Sequence, residues 1–148
     1  MINKIVAVYG AGGHTGQFVV RELQRRGFRA ILIGRHRVSQ LSETRGDPGH
    51  WCREARCDDS SSLDRALAGA HAVINCAGAF MDTAAPLVEA ALRNRIHYLD
   101  VTAEQATAMR TFETYDEPAR AAGISVLPAM AFYGGLADLL TSALASFP

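Results

Sequence analysis

Short apolar runs recur along the chain, and most are followed by a stretch in which apolar residues return every three or four positions. The first run, Ile5–Tyr9 (IVAVY), is continuous and rich in β-branched and aromatic residues, as expected of a strand buried on both faces. Gln17–Arg26 follows with Phe18, Val19 and Leu23 on one stripe, the pattern of a helix laid on a core. The alternation then repeats. Arg29–Ile33 reads as a second strand, Val38–Glu43 as a short helix with Leu41 turned inward, and Thr44–Trp51 as turn chemistry broken by Gly46, Pro48 and Gly49. Arg53–Cys57 reads as a third strand, and Ser60–Ala68 as a helix with a serine start and Gly69 as its stop. His71–Cys76 is the fourth predicted strand, with a helix over Thr83–Arg95 that places Pro86 in its first turn. Ile96–Val101 is the fifth strand. Glu104–Ala122 is predicted helical, with Pro118 kinking or interrupting it. Ile124–Leu127 is the sixth strand, and Gly134-Gly135 opens a last apolar helix over Leu136–Phe147.

Strands alternating with helices give a parallel sheet covered on both faces. The predicted fold is therefore α/β, a doubly wound sheet of the Rossmann type with about six strands in the order 3-2-1-4-5-6. Such a sheet takes its ligand over the carboxyl ends of strands one and four.

Composition narrows the function classes. The chain has 148 residues, 49% hydrophobic and 20% charged, which suits one globular domain rather than a disordered segment. Its formal charge is zero, so it carries no basic footprint for nucleic acid. No apolar run approaches the ~20 residues of a membrane span, and Met1–Tyr9 lacks the features of a signal peptide. Cys52, Cys57 and Cys76 form no CxxC pair and suit neither a disulfide framework nor a zinc site, so a reducing cytoplasm is the expected compartment. Neither His14 nor His97 has metal-ligand spacing with another ligand.

The candidate chemistry starts where the first strand ends. Gly10, Gly13 and Gly16 are spaced by three, with Gly12 as a fourth glycine, in the segment GAGGHTG. Strand, glycine turn and helix are the context in which glycines mark a phosphate site. One glycine permits the tight exit, one lets backbone approach a pyrophosphate, and one lets helix pack closely on sheet. The unpaired N–H groups of the helix start, from Gly12 through His14, Thr15 and Gly16, would face the anion. On this reading a side chain at Gly10 or Gly13 would fill the space that the phosphates need.

A domain that prefers NAD ends its second strand with Asp or Glu, which bonds the adenosine ribose. Here that position holds Gly34 and Arg35, and no carboxylate occurs between Glu22 and Glu43. Arg35 and Arg37 would attract a 2′-phosphate and grip it with paired bonds. One charge-assisted contact contributes about 1.5–3 kcal/mol, or about ten- to a hundredfold in affinity. NADP (NADPH) is thus predicted over NAD. Asp58 and Asp59 follow strand three, where either could accept from the adenine amino group, or Asp59 or Ser60 could cap the next helix. Asn75, Cys76, Ala77 and Gly78 end strand four beside the expected phosphates and nicotinamide ribose. Nothing nearby in sequence lowers the pKa of Cys76, so it reads as packing rather than as a nucleophile. Asp100 and Glu104, after strand five, could orient substrate or take a proton, and Glu104 could equally belong to its helix's first turn.

The segments Tyr9–Gly16 (YGAGGHTG), Ile33–Arg35 (IGR), Val73–Phe80 (VINCAGAF), Tyr98–Glu104 (YLDVTAE) and Ala129–Leu140 (AMAFYGGLADLL), taken in order, resemble the saccharopine dehydrogenase/reductase-like family. The resemblance implies a Rossmann domain with its glycine loop at Gly10–Gly16 and its NADP-selecting arginine at Arg35. It also implies a second α/β domain that carries substrate contacts and dimerisation and is absent from these 148 residues. The stripe of Leu136, Leu139, Leu140 and Leu144 would pack against it. The expected function is the cofactor half of an NADP(H)-dependent oxidoreductase acting on a small molecule of unknown identity. A short-chain dehydrogenase is excluded, since its Tyr-xxx-Lys pair needs a lysine well down the chain and Lys4 is the only one. The alternative is a non-catalytic NADP-sensing or regulatory protein, favoured by the lack of an evident acid–base pair.

Overall fold

The computed structural model describes residues 4–35 and 51–145. Among these the elements run β1 (Ile5–Tyr9), α1 (His14–Arg25), β2 (Arg29–Gly34), β3 (Trp51–Glu54), α2 (Ser60–Leu67), β4 (Ala72–Asn75), α3 (Phe80–Asn94), β5 (His97–Asp100), α4 (Gln105–Ala122), β6 (Val126–Leu127) and α5 (Gly134–Ala145). The helix expected over Val38–Glu43, the turn up to His50, and Arg37 lie outside the described residues.

All pairings are parallel, and the six-stranded sheet has the predicted order β3-β2-β1-β4-β5-β6. The continuous apolar runs are buried on both faces, as such strands require. Ala7 and Tyr9 of β1 join Ile31, Ile33, Val73 and Tyr98 under the helices that follow β3, β4 and β5, while Val8 packs with Val20, Ala30 and Leu32 on the α1 side.

Several boundaries differ from expectation; α1, for one, starts at His14 rather than Gln17. β3 starts at Trp51, inside the predicted turn, and leaves the ladder before Cys57. Its extent follows β2, whose Ile31–Gly34 pair with Trp51–Glu54. The Trp51 ring is also held from one side by the Arg29 guanidinium, 4.2 Å from the ring centre.

α3 begins at Phe80 rather than Thr83, so Pro86 stands inside the helix and past its first turn. α4 runs through Pro118 without interruption. The carbonyl deprived of a partner there belongs to Thr114, which is exposed, so water can satisfy it. α4 ends at Gly123 in the left-handed conformation (φ +69°).

Candidate functional site

The carboxyl ends of β1 to β4 converge as the strand order requires. Gly10 has φ +80°, a conformation that suits glycine, and a Cβ there would stand 3.0 Å from both the Cβ and the N of Ala77 after β4. At Gly16 a Cβ would stand 2.2 Å from the Gly10 carbonyl oxygen, so this glycine lets α1 seat against the turn. The space beyond Gly10 is thus filled by the β4 turn. This differs from the expectation that it lies open for phosphate. Gly12, Gly13, His14 and Thr15 are exposed, and no side chain caps the start of α1. His14 packs edge-to-face on Phe18 with ring centres 5.0 Å apart.

Beside this turn a cavity of about 460 Å³ is bounded by Tyr9, by Arg35 after β2, by Arg56, Cys57 and Asp58 after β3, and by Gly78–Ala79 and Thr83 near the start of α3. Arg35, Asp58 and Gly78 among the predicted site residues are therefore brought together. Arg35 is exposed, and no ion pair or hydrogen bond joins its guanidinium to another described residue. Asp58 is paired with Arg56 at 2.9 and 2.5 Å, while Asp59 caps α2 by accepting from the Ser62 N–H at 3.0 Å. Both acids are held below the usual carboxylate range, Asp58 chiefly by Arg56 and Asp59 chiefly by Ser61. The Cys57 thiol donates to the Tyr9 hydroxyl at 3.2 Å, and burial raises the pKa of both groups.

The other predicted residues serve the frame around the cavity. Asn75 is fully buried. Its amide donates to Thr83 (3.0 Å) and to the Tyr98 hydroxyl (3.3 Å), and its oxygen accepts from the Ala77 N–H (3.0 Å). Tyr98 in turn donates to Asp100 at 2.8 Å. The other Asp100 oxygen accepts from the N–H groups of Thr102 (3.0 Å) and Ala129 (2.9 Å). These bonds tie the ends of β4, β5 and β6 together. Ala77 continues the turn, and its carbonyl accepts from Thr83 at 2.8 Å. Cys76 is partly buried against the cluster of Val8, Ala11, Val20, Ala30 and Leu32, and burial pushes its thiol up to about 12, which leaves no nucleophilic thiolate near neutral pH.

Glu104 does not cap its own helix. It accepts from the N–H groups of Phe80 and Met81, both at 2.8 Å, closing the start of α3 from 24 residues away, and these bonds lower its pKa. Sequence reasoning also passed over Arg56 and Thr83 as parts of the cavity wall. Arg56 carries only its charge as a signal, and its neighbours are set by strand pairing.

A glycine turn leading into an uncapped helix start is what a dinucleotide site offers to phosphate, and here an arginine rather than a carboxylate follows β2. Residues 6–127 match the saccharopine dehydrogenase NADP binding domain. The chain belongs to this family. It is 28% identical over 146 residues to a lipid droplet localized protein of Caenorhabditis elegans, covering 90% of this chain and 34% of that protein. The fold is similar to apo saccharopine dehydrogenase (L-Glu forming) from Saccharomyces cerevisiae, with TM-score 0.70 and 19% identity over 86% of this chain and 27% of that one. It is also similar to Pen from Bacillus thuringiensis, with TM-score 0.70 and 12% identity over 86% of this chain and 50% of that one. The chain thus spans about a third of the length of the curated relative it matches. No helix among the described residues is long and apolar enough to cross a membrane.

Proposed function

We propose that this chain binds NADP(H) in preference to NAD(H) and supplies the cofactor half of an oxidoreductase acting on a small molecule. The observation that carries the reading is the exposed guanidinium of Arg35 at the end of β2, unpaired among the described residues, where an NAD-preferring domain carries a carboxylate. Arg35, with Arg37, would hold the 2′-phosphate. The N–H groups from Gly12 to Gly16 would face the pyrophosphate, and the Asn75–Gly78 turn would flank the nicotinamide ribose. When bound, the nicotinamide supplies hydride transfer, and the protein orients it.

The family's second domain would bring substrate contacts and a homodimer interface. Its seat would be the apolar stripe of α5, where Leu136, Leu139, Leu140 and Leu144 are all exposed. The three free cysteines suit a reducing cytoplasm.

The test is a calorimetric titration with NADPH and NADH of the wild type and of Arg35→Ala. The expected result is tighter binding of NADPH, with the preference shrinking about ten- to a hundredfold in the variant. A folded protein that binds neither nucleotide overturns the reading.

One observation favours a second reading, an NADP-sensing protein without catalysis. Three of the acids at this edge are already engaged: Asp100 by three hydrogen bonds, Glu104 on α3 and Asp58 by Arg56. NADPH oxidation with some carbonyl or imine substrate, in a panel assayed on the longest natural form of the protein, would decide for the enzyme.

A further inference from the structure

The cavity beside the glycine turn holds a second arginine that the proposed function leaves unused. Gly34 pairs with Glu54, and the Ala55 N–H extends the ladder to the Gly34 carbonyl at 3.1 Å. Arg35 and Arg56 therefore leave neighbouring parallel strands almost side by side, and both line the cavity. Their states differ. Arg35 is unpaired among the described residues, whereas Arg56 presents its fork to Asp58 through two parallel bonds, Nε to Oδ1 at 2.9 Å and Nη2 to Oδ2 at 2.5 Å.

We infer that Arg56 is a further binding group for the 2′-phosphate, held in reserve by Asp58 and transferred to the phosphate when NADP(H) enters. The inference rests on the NADP reading above and deepens it.

Charge and exposure carry the argument. A phosphate monoester has a charge of about −1.5 to −2 at neutral pH, so each further guanidinium turned towards it adds attraction. Among the described residues the charged groups lining the cavity are Arg35, Arg56, Asp58 and Asp82, so the two acids there offset the two arginines. Asp58 would also repel the phosphate. The Arg56–Asp58 pair is the element that can change. Its side chains are 59% and 65% exposed, and an ion pair this open to water is weak and easily exchanged. The planar fork that fits a carboxylate fits a phosphate equally well. Exchange keeps both bonds of Arg56, releases Asp58 to water, and raises the positive charge facing the ligand. A nucleotide without the 2′-phosphate offers Arg56 nothing in return, and the pair stays closed.

The experiment titrates NADPH and NADH calorimetrically into the wild type, Arg35→Ala, Arg56→Ala and Asp58→Asn, with circular dichroism confirming the fold of each. Arg56→Ala is expected to weaken NADPH by about tenfold or more while leaving NADH within about twofold. Asp58→Asn is expected to tighten NADPH several-fold and leave NADH unchanged. Asp58→Asn weakening both nucleotides alike would mean that Asp58 binds the adenine, and would overturn the inference. So would an Arg56→Ala variant that keeps the wild-type ratio of the two affinities. If Arg35→Ala abolishes the preference and Arg56→Ala does not, this inference alone fails. A folded wild type that binds neither nucleotide overturns the NADP reading with it.

Discussion

An added methyl group at Gly16 would stand 2.2 Å from a backbone oxygen, which no side-chain adjustment can relieve. Gly16→Ala is therefore expected to destabilise the fold by about 1–3 kcal/mol or more, measured by urea denaturation. Tyr98 is a different case, since its hydroxyl both donates and accepts at a buried position. Tyr98→Phe leaves a buried Asp100 oxygen short of a donor and is expected to cost about 1–3 kcal/mol, by the same measurement. The glycine was legible in the sequence because a strand, a turn and a helix adjoin it. The role of Tyr98 was not, because its partners lie on β4 and on its own strand and only the pleat shows that they share a side.

At the scale of elements, α3 starts three residues earlier than its own sequence suggests because Glu104 closes its first turn from the β5–α4 connection. Local reading looks for a cap beside the helix and could not find one 24 residues away. The same contact has a pH signature. The Glu104 carboxyl has a lowered pKa in the folded protein, chiefly through the Phe80 N–H. Its contribution to stability is thus complete above the ordinary carboxylate pKa of about 4.3. It is lost as the pH falls through the lowered folded value. Thermal melts of wild type and Glu104→Gln should differ at pH 7 and converge as the pH falls below about 4. Parallel melting curves at every pH would show that the charge of Glu104 is immaterial. β3 makes a related point: its composition marked a strand, but pairing with β2 moved its start to Trp51.

Across the whole molecule, cover is uneven on the α1 side of the sheet. Val8, Ile74, Leu99 and Leu127 form one row across β1, β4, β5 and β6. Val8 is fully buried and Leu127 is 41% exposed, so cover thins towards β6. α5 also presents its leucines to solvent. Leu139→Ser with Leu140→Ser should therefore leave the melting temperature of the 148-residue chain nearly unchanged. In a form carrying the proposed second domain the same pair should lower it. The amino-acid sequence by itself determined the alternation of elements, the glycine turn and the absence of a carboxylate after β2. These are local properties, set by hydrophobic period and by residues adjacent in the chain. Only the tertiary structure decided that Arg56 stands beside Arg35, that Glu104 closes α3 and that Asn75 and Asp100 belong to a buried network. Each joins groups whose proximity depends on strand register and helix placement, and those are settled by packing the whole sheet at once.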